Sequence, residues 1–102
     1  MDPKDLPQLT QGDLDDQALR NLVEDLSTLA EILEVRVKGS SEERAENSTL
    51  QLKQAVAAMK LGRVQGVQVR YRWEGAEWFD TLMRTGATVR VIRMKIEPRV
   101  QS

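Results

Sequence analysis

Residues 67–96, VQVRYRWEGAEWFDTLMRTGATVRVIRMKI, decide how this chain folds. Val67, Val69, Tyr71 and Trp73 alternate with Gln68, Arg70, Arg72 and Glu74, which is the period of a strand with one buried face. Gly75-Ala76 supplies a turn, Glu77 to Thr85 a second strand, Gly86 another turn, and Val89 to Ile96 a third strand. The spacing predicts a three-stranded antiparallel meander. In its last strand Val89 and Val91 are in phase, whereas Ile92, Met94 and Ile96 have slipped by one, and a bulge near Val91-Ile92 would account for the slip.

Upstream of the meander the period lengthens. Leu52, Ala55, Val56 and Met59 make the stripe of a helix capped by Ser48 or Thr49, with Gly62 placed to stop it in a left-handed conformation. Ser40 to Asn47 is polar apart from Ala45 and reads as a loop. Leu33, Val35 and Val37 alternate with Glu34, Arg36 and Lys38 up to Gly39, a short strand. Before it, Leu19, Leu22, Val23, Leu26, Leu29 and Ala30 fall on one helical stripe. Asp13 is the expected cap of that helix, with Asp15 and Asp16 at the positive end of its dipole.

These elements predict an α+β fold: a two-layer sandwich in the order α-β-α-β-β-β, with both helices on one face of a four-stranded, mostly antiparallel sheet. A right-handed crossover through the second helix is expected to join the first two strands. Residues 1–12, with Pro3, Pro7 and Gly12 and no period, read as a flexible arm. The single domain is expected over 13–97 and a tail over 98–102.

Composition narrows the chemistry. The chain of 102 residues has no cysteine and no histidine. It therefore cannot build zinc, haem or iron–sulfur sites of the usual kinds, a thiol nucleophile or an imidazole base. No cofactor is expected. Residues 1–5 are polar and mixed in charge, and the longest apolar run, Ala55 to Met59, is far short of a membrane span. A cytoplasmic protein without a signal peptide is expected.

The net charge of −1 conceals a split. Residues 1–48 carry twelve acids and five bases, and residues 49–102 carry four acids and ten bases. Either the second half presents an anion-binding surface, or the halves fold together and neutralise one another.

The candidate binding residues are Arg70, Arg72, Arg90, Trp73, Trp78 and Asp80. Arg70 and Arg72 must share a strand face, opposite Val67 and Val69, to which Arg90 on a neighbouring strand would add. Guanidinium forks suit phosphate and carboxylate, but cross-strand pairing with Glu74, Glu77 and Asp80 is the competing reading. Trp73 and Trp78 flank the turn at Gly75-Ala76, where they would pair across the hairpin or anchor a partner. Asp80 interrupts an apolar segment, so it needs a partner if it faces inward; an ion pair with Arg70, Arg72 or Arg90 is preferred to an acid–base role.

With no second catalytic group spaced to work with Asp80, the expected function is a non-catalytic protein-interaction or accessory module, homodimerisation included. The alternative is a small nucleic-acid-binding regulator that uses the arginine-bearing face. Such binding must weaken steeply as salt rises.

Overall fold

The computed structural model describes residues 9–39, 45–46 and 49–96. The fold is α+β: two helices lie on one face of an antiparallel sheet. In chain order the elements are β1 (Leu9–Leu14), α1 (Asp16–Leu29), β2 (Glu31–Lys38), β3 (Ala45–Glu46), α2 (Thr49–Lys60), β4 (Gly66–Trp73), β5 (Ala76–Thr85) and β6 (Thr88–Ile96). The strands lie side by side as β1-β6-β5-β4-β2-β3, every neighbouring pair antiparallel.

The meander over β4, β5 and β6 is as expected, but the sheet has six strands rather than four. Positions 9–12, read as the end of an arm, belong to β1, and Ala45–Glu46 within the expected loop pairs with β2. β1 was hidden because Leu9-Thr10-Gln11-Gly12-Asp13-Leu14 has no alternation of apolar residues. Its backbone is held by pairing with β6, a contact 77 residues away at Asp13 and Arg90. The crossover is also displaced. β2 and β4 are antiparallel neighbours, so no parallel crossover runs through α2. Instead α1 carries the chain from β1 at one edge past β6, β5 and β4 to β2, which runs parallel to β1.

Helix boundaries follow their local chemistry. Asp15, not Asp13, caps α1: its Oδ1 accepts the Ala18 N–H at 2.8 Å. At the end of α2 the Gly62 N–H donates to the Met59 carbonyl at 3.0 Å and the Arg63 N–H to the Ala58 carbonyl at 2.9 Å. These two bonds close a Schellman motif, and Gly62, at φ 81°, takes the left-handed position that a side chain would strain. The β4–β5 turn is Glu74-Gly75, one residue earlier than expected, and both residues have positive φ. Two left-handed residues in a two-residue loop match the twist of the strands they join.

The core lies between the helices and one sheet face. Leu19 and Leu26 from α1 and Leu52, Ala55, Val56 and Met59 from α2 meet Val35, Val67, Val69, Tyr71, Leu82 and Val89. The helix-side sheet residues stand opposite one another across the ladder, as Val35, Val69 and Asp80 do, so one face is buried. The charge split resolves by internal neutralisation. Lys53 pairs with Glu24, Lys60 with Asp16, Arg70 with Glu34, Arg72 with Glu31 and Arg90 with Asp13, each joining the two halves.

Among the described residues no helix is long and apolar enough to cross a membrane. Residues 1–8 and 97–102, covering the rest of the expected arm and the tail, lie outside the described residues, as do Ser48 and most of the loop over 40–47.

Candidate functional site

The six candidate residues divide between the two faces of the sheet. Arg70, Arg72 and Arg90 stand on the open face, away from the helices, whereas Trp73, Trp78 and Asp80 stand on the covered one. They do not make one site.

On the covered face, Asp80 is fully buried. Its cross-strand neighbour on β6 is Arg93, whose Nε donates to Oδ1 at 3.0 Å and whose Nη2 donates to Oδ2 at 3.0 Å. The Tyr71 hydroxyl donates to the same carboxylate at 3.2 Å. The partner is therefore none of the three arginines expected, because Arg70, Arg72 and Arg90 point the other way. Arg93 occupies the position two beyond Val91, where strict alternation calls for an apolar residue, and its planar fork answers the buried carboxylate. Burial and then the Asp80 charge push the Tyr71 hydroxyl well above the usual phenol range. Burial works against the charge of Arg93, but the hydrogen bond to Asp80 and its negative charge outweigh it and hold the guanidinium above its ordinary value. A neutral tyrosine and a permanently charged arginine commit Asp80 to an ion pair.

The tryptophans are neighbours rather than a direct pair. Trp73 stands opposite Ala76, and Trp78 opposite Tyr71. Both pack against the edge of the core, and Lys95 lies 5.8 Å from the centre of the Trp78 ring. A cleft of about 180 Å³ opens here between the end of α1 and the sheet, with Leu22, Leu29, Trp73 and Arg93 in its walls. The charge of Arg93 is already met by Asp80, and Asp25 stands at the same cleft, so it offers an anion little.

On the open face the arginines are neutralised in place. Arg36 pairs with Glu34 at 3.2 Å, Glu34 with Arg70 at 3.6 Å, and Arg70 with Glu77 at 3.3 Å. Glu77 continues to Arg72 at 3.8 Å, and Arg72 ends on Glu31 at 2.8 Å. The signs alternate along this ladder, and three acids balance three arginines. A β-bulge makes it geometrically complete. The register shifts between Ile32 and Glu34, so the extra residue, Leu33, lets Glu31 and Glu34 both face the arginines of β4 while Ile32 and Val35 face the helices. Arg90 lies two rows away and pairs with Asp13 at 3.3 Å.

The bulge expected in β6 is absent. The β5–β6 register runs unbroken from Glu77 opposite Ile96 to Thr85 opposite Thr88. The phase slip instead has a tertiary meaning. Beyond Val91 the covered side of β6 turns polar, with Arg93 and Lys95, and the apolar residues Ile92, Met94 and Ile96 move to the open side. Phe79 stands opposite Met94, and Thr81 opposite Ile92. Phe79, Ile92, Met94 and Ile96 lie outside the core cluster, and Met94 is 46 % exposed. These four residues are the feature that the candidate set missed, and the phase slip at Ile92 was its signal in the sequence.

No family model, curated protein or solved structure matches this chain. Its chemistry has to be read from these two faces.

Proposed function

We propose that this chain is a non-catalytic interaction module that docks a protein partner on its open sheet face. The observation that carries the reading is the apolar stripe Phe79, Ile92, Met94 and Ile96, which no helix among the described residues covers. An antiparallel sheet with one solvated face ordinarily alternates apolar inside with polar outside. Here half-buried Phe79, Ile92 and Ile96 and exposed Met94 depart from that rule, and apolar surface gathered on one side of a sheet marks a candidate interaction site.

The buried carboxylate supports a structural role, since Asp80 is spent on Arg93 and Tyr71. Nucleic acid is the weaker reading, because Arg70, Arg72 and Arg90 each already hold an acid. Phosphate contacts would have to displace those pairs.

The test compares the wild-type chain with the double variant Ile92→Glu/Met94→Glu, each used to capture proteins from its source cells after brief crosslinking. A defined protein, a second copy of the chain included, held by the wild type and lost from the folded variant is expected. Equal retention by both would sink the reading.

A further inference from the structure

We infer that the occupant of the open face is a second copy of this chain, packed face to face about a two-fold axis; this rests on the docking role proposed above. Two properties of the face point to it. The first is charge. The ladder from Arg36 to Glu31 sums to zero with alternating signs, so it sets up no net repulsion against its own copy and no net attraction for a strongly charged partner. A two-fold contact demands that one patch complement itself, and an apolar stripe flanked by a balanced ladder does so.

The second is extent. Five strands about 4.8 Å apart, each paired over roughly six residues at about 3.3 Å rise with alternate side chains on this side, give a face of roughly 24 by 20 Å. Mating two such faces removes on the order of 1,000 Å² from water across both copies, the lower bound for a specific interface. Phe79, Ile92, Met94 and Ile96 would form its dry centre and the ladder one wet rim, an arrangement typical of interfaces that form and dissociate.

Sedimentation or light scattering of the full chain from about 1 µM to 1 mM reads the result directly. The expected mass rises to twice 11.6 kDa. Met94→Glu is expected to raise the dissociation constant by about tenfold or more while leaving circular dichroism unchanged, as loss of a central apolar contact does. Leu61→Ser, at an exposed position beyond α2, is expected to leave it unchanged. Because the chain has no cysteine, Met94→Cys carries a spin label at one known place. It should show label-to-label coupling that a label at Thr28 on α1 does not, which keeps the idea testable should Met94→Glu fail to fold.

A dimer that survives Met94→Glu and shows no coupling at position 94 would overturn the inference, since another surface would then make it. A strict monomer up to the highest concentration would overturn it too. If a monomeric wild type still captures a different protein through Ile92 and Met94, only the second copy is refuted; if it captures nothing, the docking role falls with it.

Discussion

The two faces of the β5–β6 pair are built from the same strands and have opposite chemistry. On the covered face Asp80 and Arg93 bring charge beneath the helices, held by a two-point hydrogen-bonded fork and by Tyr71. On the open face Phe79 and Met94, one residue earlier and one later, bring apolar surface toward water. The lesson is that burial alone does not assign polarity in this fold. A charge is tolerated inside where the register delivers its partner, and apolar residues also occupy the face turned away from the helices, where Met94 is exposed.

The contrast predicts the largest loss where apolar packing is complete. Leu82→Ala, at a fully buried position of β5, is expected to destabilise the fold by about 3 kcal/mol in urea unfolding, whereas Met94→Ala on the open face should cost the isolated chain less than about 1 kcal/mol. Equal losses would erase the distinction between the faces.

Next comes the buried pair. Arg93→Met leaves the Asp80 carboxylate without its counter-charge and is expected to cost about 2–3 kcal/mol, below the top of the range for such pairs because the guanidinium is about one-third exposed. The double variant Asp80→Leu/Arg93→Met should recover most of that loss, since it removes the stranded charge together with its partner. A double-mutant cycle from chemical denaturation measures the recovery.

A pH scan sharpens the same site. The folded state holds the Tyr71 proton more tightly than the unfolded chain does, so above the ordinary phenol value of 10.0 the folded state binds more protons. Stability should therefore be fully present below pH 10 and fall above it by up to about 1.4 kcal/mol per pH unit from this group. Tyr71→Phe is expected to flatten that component of the alkaline limb, read by urea unfolding at successive pH values.

The smallest effects belong to exposed charges. Arg72→Gln, which breaks the end of the ladder, should change stability by less than about 1 kcal/mol and less still in high salt. At the other sheet edge the hydrogen bond from Lys60, with help from Arg20, holds the Asp16 carboxyl below its ordinary 3.8. Its contribution is present above that value and is lost as pH falls through the lowered one. Asp16→Asn should remove that small contribution at neutral pH and flatten the acid dependence of stability, read by urea unfolding at successive pH values.

Much of the architecture was legible residue by residue. The stripes of Leu19 and Leu26 and of Leu52, Val56 and Met59, the alternation from Val67 to Trp73, and the stop at Gly62 each depend on neighbours within a few positions. The edge strand β1 was not legible, because Gly12 and Asp13 break its alternation and its support comes from β6. The bulge was misplaced for a related reason. A slip of phase in β6 looks the same whether the backbone bulges or the environment of the two faces changes, and a true bulge at Leu33 in β2 leaves an unremarkable apolar run.

The sequence by itself determined the inventory: two amphipathic helices, strands with one apolar edge, a carboxylate at Asp80 inside an apolar run that needs a partner if it faces inward, and a chain free of thiol and imidazole chemistry. Only the tertiary structure decided that Arg93 and not Arg70 meets Asp80, that Glu31 and Glu34 neutralise the arginines of β4, and that Ile92 and Met94 face away from the helices. The reason is that periodicity records the inward or outward direction of each side chain relative to its own element. Strand order and register, set by backbone pairing across tens of residues, determine what it meets there.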